Sequence, residues 1–118
     1  MVLVVEDEDA IRRYATALLT ELGFTVVGAA DGNQALATFH DQGDDLALVL
    51  LDLTLPGLSG EEILEEMAKL GTKTPVVVCS GSDAQAVRRL FGGQRVAGFL
   101  TKPYGLEQLR STLRAALS

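Results

Sequence analysis

The chain has 118 residues, 47% hydrophobic but only 5% aromatic and without Trp, and a net charge of −6. That length is one domain, spanning residues 1–118, which on folding buries roughly 65% of its unfolded surface and needs no disulfide or structural metal. No apolar run reaches membrane-spanning length, and the single Cys79, inside the apolar run Val76 to Cys79, reads as an inert core thiol. The charge is polarised: residues 1–71 hold 3 basic and 14 acidic side chains, residues 72–118 hold 7 basic and 2 acidic. Arg88, Arg89, Arg95, Arg110 and Arg114 have no interleaved aromatics and sit in a net-acidic chain, which argues against a nucleic-acid module.

Apolar runs alternate with helical patterns along the whole chain, one βα repeat five times over. Met1 leads directly into the first strand, Val2 to Val5, and then into four acids, so no signal peptide is expected and the expected location is cytoplasmic. Ile11, Ala15, Leu18 and Leu22 form one helical stripe with Gly23 as its stop, and Arg12, Arg13 and Glu21 occupy the other face. A second strand is expected over Phe24 to Ala29. The second helix follows from Gly32 to Asp41, with Ala35, Leu36 and Phe39 inward, His40 solvated and Gly43 ending it.

The third strand, Ala47 to Leu51, carries no charge and no helical period, as a strand buried on both faces does. It ends in Asp52 and turns through Pro56 and Gly57. Ser59 and Glu62 have capping-box spacing for a third helix presenting Ile63, Leu64, Met67 and Leu70, closed by Gly71. The fourth strand is Pro75 to Cys79. Asp83 to Phe91 predicts a short, glycine-bounded helix, and Ala97 to Leu100 the fifth strand. Leu106, Leu109, Leu113, Ala116 and Leu117 make the last helix amphipathic to the end. Five strands joined by crossover helices require a parallel sheet with helices on both faces, a doubly wound α/β fold of flavodoxin-like type, for which 2-1-3-4-5 is the common order.

In that order strands one, three, four and five are successive neighbours, and their carboxyl ends carry Glu6 and Asp7, Asp52, Ser80 and Lys102. Three carboxylates, a hydroxyl and an ammonium thus converge on one shallow pocket at the edge where open α/β sheets collect ligands. Carboxylates this close repel and raise one another's pKa. A divalent ion resolves the repulsion, and oxygen-only donors without His or Cys point to a hard cation such as Mg²⁺. Glu8 and Asp9 read as a solvated acidic loop.

These residues carry a resemblance to the receiver domains of two-component response regulators, including the chemotaxis type, over essentially all 118 residues. Val4-Val5-Glu6-Asp7-Glu8 resembles the family's acidic strand end, Asp52-Leu53-Thr54-Leu55-Pro56-Gly57 its phosphoacceptor loop, and Lys102-Pro103 its lysine and following proline. The resemblance implies that Asp52 accepts a phosphoryl group from a phosphohistidine. Asp7 would bind Mg²⁺ directly, Glu6 largely through water, and the Thr54 carbonyl would add to the coordination. Lys102 and Ser80 would contact the phosphoryl oxygens, with Ser80 and Phe99 acting as the switch. It also implies a partner that is a histidine kinase or a histidine phosphotransfer domain, with no membrane contact by this domain and a homodimer face on the fourth helix, fifth strand and fifth helix. The domain is then a phosphoacceptor that assists its own phosphorylation, not an enzyme in its own right. Val96 to Tyr104 further resembles receivers at the carboxyl end of hybrid sensor histidine kinases, with a stand-alone regulator as the rival.

Two departures from the pattern matter: Glu6 replaces the commoner Asp, and Gly81 stands where Ala is usual and loosens the loop after Ser80. In keeping with the resemblance, the peptide before Pro103 is expected to be open to the cis form. An Mg²⁺-dependent aspartate-nucleophile phosphatase shares Asp52 and a lysine but needs a second acid where Thr54 stands. A flavodoxin-like cofactor binder would find its phosphate repelled by Glu6 to Asp9. A receiver-like scaffold used for protein contacts without phosphorylation is the remaining alternative.

Overall fold

The computed structural model describes residues 1–52, 60–69, 74–81 and 96–117. Strands β1 (Val2–Val5), β2 (Val26–Ala29), β3 (Leu48–Asp52), β4 (Val76–Ser80) and β5 (Gly98–Thr101) form a parallel sheet in the order β2-β1-β3-β4-β5. The helices are α1 (Asp9–Glu21), α2 (Gly32–Gln42), α3 (Gly60–Lys69) and α4 (Leu106–Ala116), with a 3₁₀ turn at Gly43–Asp45. The doubly wound order is as expected. The helix predicted at Asp83 to Phe91 lies outside the described residues, as do Ser59, Thr54 and Leu70.

Alternation along the strands divides the core into two layers. Leu3, Val5, Val49, Leu51, Val76 and Val78 meet Ala35, Phe39, Ile63, Leu64 and Met67 of α2 and α3. Val2, Val4, Leu48, Leu50, Val77 and Cys79 meet Ala15, Leu19, Leu109 and Leu113 of α1 and α4. Successive strand residues point to opposite faces, so a strand covered by helices on both sides must be apolar throughout, as β1 and β3 are. Cys79 is buried, and burial pushes its thiol up to about 12, which leaves it inert as expected.

The α1 stripe differs from the sequence reading. Its buried centre is Ala15 and Leu19, with Ile11, Leu18 and Leu22 half-buried at its margins. Leu19 is placed there by the helix end. Gly23 adopts φ 95°, its N–H donates to the Thr20 carbonyl at 3.0 Å, and the Phe24 N–H donates to the Leu19 carbonyl at 3.0 Å. This is a Schellman close, whose left-handed residue favours glycine. It also takes Phe24 out of β2, which therefore starts at Val26 rather than Phe24. At the other end of the chain Leu117 is exposed, so the apolar face of α4 stops at Ala116.

Strands β3, β4 and β5 each begin and end one residue later than their apolar runs. Asp52, Ser80 and Thr101 have paired backbones although their side chains are polar. Hydrophobicity marks where side chains are buried, whereas the ladder continues as long as backbones stay in register.

Candidate functional site

The register sets the site. Val5 pairs with Leu51, so Glu6 and Asp52 are the next residues on adjacent strands. Asp52 pairs with Cys79, and Ser80 pairs with Thr101, which puts Lys102 one step beyond. The ladder is extended there by the Lys102 N–H, which donates to the Ser80 carbonyl at 2.8 Å. Four of the expected residues therefore arrive at one edge through strand pairing alone, and Asp7 follows Glu6 into the turn before α1.

Glu6 and Asp52 are 3% and 6% exposed, while Asp7 is exposed. Carboxylate oxygens of the three lie within 4.8 Å of one another. The Lys102 ammonium sits between the two buried acids, 2.9 Å from Glu6 Oε1 and 3.1 Å from Asp52 Oδ1. The second Glu6 oxygen, Oε2, accepts from the Asp7 N–H at 3.1 Å. Burial, and then the hydrogen bond shared with Asp52, push the Glu6 carboxyl up to about 7, with Lys102 opposing the rise. Burial pulls the Lys102 ammonium down, but its hydrogen bonds to Glu6 and Asp52 outweigh this and hold it above its ordinary range.

One cation shared by two buried carboxylates leaves excess negative charge, which adds to burial in raising Glu6. The donor set is hard oxygen throughout, exposed on the Asp7 side and closed behind by Glu6 and Asp52, which suits a small divalent cation that keeps several waters. The residues present thus fit Mg²⁺. The Thr54 carbonyl, expected to share in it, lies outside the described residues.

The Lys102-Pro103 peptide is cis. The chain then enters Tyr104, whose ring is buried against the α1 and α4 layer and whose hydroxyl is pushed upward by burial. Tyr14 of α1 donates its hydroxyl to the Tyr104 carbonyl at 2.8 Å, and the two rings stand 6.1 Å apart. No sequence signal announces that tie between α1 and the Lys102 loop, because nothing local links residues 90 apart. Phe99 is half-buried on the opposite layer, beside the core of α2 and α3. A Cβ at Gly81 would meet nothing within 4 Å, so Ala would fit there without a clash.

Arg12 is the second residue whose role the sequence pattern misses. Helical spacing puts it on the solvent face of α1. Instead it is half-buried, its Nη1 donates to the Glu6 carbonyl at 2.8 Å, and its Nη2 pairs with Asp9.

A family model described as the response regulator receiver domain matches residues 2–114. The chain belongs to this family. Among curated relatives it is 34% identical over 116 residues to the sensor kinase CckA of Brucella abortus, covering 98% of this chain and 12% of that one. It is 35% identical over 117 residues to the sensory transduction protein RegX3 of Mycolicibacterium smegmatis, covering 98% of this chain and 50% of that one. The chain thus spans half or less of the length of these relatives. Among solved structures, the receiver domain of NtrX from Brucella abortus superposes with a TM-score of 0.89 at 31% identity, covering 99% of this chain and 98% of that one. Receiver domains of this family belong to two-component signalling, and the acidic cluster of Glu6, Asp7 and Asp52 fits both Mg²⁺ and a phosphoacceptor carboxylate. Among the described residues no helix is long and apolar enough to cross a membrane.

Proposed function

We propose that residues 1–118 form a single receiver domain that takes a phosphoryl group from a phosphohistidine onto Asp52 and changes conformation in response. The observation that carries this reading is the placement of Lys102 between Glu6 and Asp52, beside the exposed Asp7. An Oδ of Asp52 attacks phosphorus, a P–O bond forms as the P–N bond breaks, and the electron pair of the broken bond returns to the imidazole nitrogen of the donor. Little covalent chemistry is asked of the protein, so positioning and charge neutralisation dominate. Asp7, Asp52, Glu6 and the Thr54 carbonyl are the groups that would hold Mg²⁺, which would supply positive charge to the phosphoryl oxygens.

Lys102 turns from its two carboxylates toward the new phosphoryl group. Ser80, at the end of the neighbouring strand, donates to a phosphoryl oxygen, and Phe99 reports the movement through β5. The partner is a histidine kinase or a histidine phosphotransfer domain in the cytoplasm, and the domain is a signalling phosphoacceptor rather than an enzyme with its own substrate. Similarity to both CckA and RegX3 is consistent with a receiver carried by a hybrid kinase or by a regulator. The face that includes β5 and α4 serves output or self-association.

The test is incubation with acetyl phosphate and Mg²⁺ followed by intact-mass measurement. Wild type gains one phosphoryl group and Asp52→Asn does not. Equal labelling of Asp52→Asn overturns the assignment.

A further inference from the structure

The turn that presents Asp7 is held from both sides by one residue. Upstream of Asp7, the Glu6 carbonyl accepts from Arg12 Nη1 at 2.8 Å. Downstream, the Glu8 carbonyl accepts from the Arg12 backbone N–H at 2.9 Å as α1 begins. The other arm of the guanidinium pairs with Asp9, so the fork is engaged by two acceptors on either side of the turn. A planar guanidinium does this where an ammonium, a single point of charge, does not.

Its stem is seated as well. A Cβ built on Gly28 would lie 3.1 Å from Arg12 Cδ and 3.5 Å from Nε, so the stem crosses β2 directly over that glycine. Gly28 pairs with Val4, two residues before Glu6, and the Glu6 N–H donates to the Ala29 carbonyl at 3.0 Å. Strand β2 thus contributes no polar side chain to the site but supplies a flat track on which the arginine reaches it.

We infer that Arg12 is a positioning residue for the metal site: its guanidinium fixes the Glu6-Asp7-Glu8 backbone so that the exposed Asp7 carboxylate is pre-set for a divalent cation. The inference deepens the proposed function and rests on its Mg²⁺ reading. The contact also satisfies the carbonyl of a buried residue, which would otherwise lose its partner when the guanidinium is removed. Groups that orient ligands from behind are commonly worth about 10- to 100-fold in metal affinity. Direct electrostatics has the opposite sign, since deleting a cation beside three carboxylates favours Mg²⁺. The direction of the change therefore separates positioning from charge.

The experiment is an Mg²⁺ titration of the full chain followed by the Asp7 and Glu8 amide resonances, on wild type, Asp7→Asn, Arg12→Met, Arg12→Lys and Gly28→Ala. Arg12→Met keeps the stem over Gly28 and removes the fork. It is expected to bind Mg²⁺ about tenfold or more weakly at a temperature where the protein is fully folded, with Arg12→Lys recovering part of the loss. Gly28→Ala crowds the stem, which must shift by a few tenths of an ångström while the guanidinium stays in the chain, and is expected to weaken binding in the same direction by less than Arg12→Met, which keeps the test open if Arg12→Met does not fold. Unchanged or tighter binding in folded Arg12→Met or in Gly28→Ala, with Asp7→Asn still impaired, overturns the positioning role alone. A wild type that takes no Mg²⁺ overturns the metal reading, and the role of Arg12 with it.

Discussion

Lys102 Nζ lies 2.9 Å from Glu6 Oε1, a contact between residues 96 apart that closes the carboxyl edge of the sheet. Glutamate, one methylene longer than the aspartate more usual in the family, holds the ammonium jointly with Asp52, 3.1 Å away. Lys102 is therefore both a structural counter-ion and a rival of any cation entering the site.

Lys102→Met follows from that double role. Mg²⁺ affinity is expected to rise, because the competing cation is gone, while phosphorylation from acetyl phosphate falls about a hundredfold, the scale of losing one pre-placed charge at a transferring group. Isothermal titration and time-resolved mass measurement on one preparation check both. Weaker Mg²⁺ binding in this variant contradicts the competition.

The raised Glu6 carboxyl gives a pH dependence with a definite sign. Its ordinary value is 4.5 and its folded value about 7, so the native state holds the proton more tightly than the unfolded chain. The stability this contributes is present below about 4.5 and is lost as pH rises through about 7. Without metal, urea unfolding should show lower stability at pH 8 than at pH 5, and Glu6→Gln should flatten the profile. Mg²⁺ displaces the same proton, so its affinity should rise over this range. Stability that rises with pH in metal-free protein and is unaltered by Glu6→Gln would rule out Glu6 as the titrating group.

Leu19 anchors α1 and its Schellman close, and it is fully buried. Leu19→Ala should cost about 2–5 kcal/mol of stability, the usual range for emptying such a site. Leu18→Ala, at the half-buried margin, should cost less. Denaturant midpoints at equal slope measure the difference, and equal costs would show that the stripe is centred where the sequence pattern alone put it.

The switch is read by NMR with beryllofluoride and Mg²⁺. If phosphorylation draws Ser80 and Lys102 toward Asp52, the pull acts at the ends of two adjacent strands, which pair through Ser80 and Thr101. Shift changes should therefore run from the pocket through residues 80 to 104 and include Phe99. Changes confined to the neighbourhood of Glu6 and Asp52 would indicate a phosphoryl store without a coupled output face.

The doubly wound fold was legible in the sequence, because uninterrupted apolar runs such as Val2 to Val5 and Ala47 to Leu51 are tolerated only where helices cover both faces. The sequence also put Glu6, Asp7, Asp52, Ser80 and Lys102 at strand ends, but that those strands are neighbours rested on the order common for this fold, which the sheet has. Tertiary structure alone decided where the ladders end, since backbone pairing carries Asp52, Ser80 and Thr101 into the sheet regardless of their polarity. It alone centred α1 on Leu19, through a turn at Gly23 that takes Phe24 into the helix close. It also decided the fate of two residues on α1: Arg12, whose helical spacing reads as solvent-facing, and Tyr14. Arg12 reaches Glu6 over a glycine on another strand, and Tyr14 reaches a carbonyl 90 residues away. Helical periodicity specifies the direction in which a side chain leaves its helix. What a long side chain touches depends on the neighbouring strand and loop, which packing alone brings into reach.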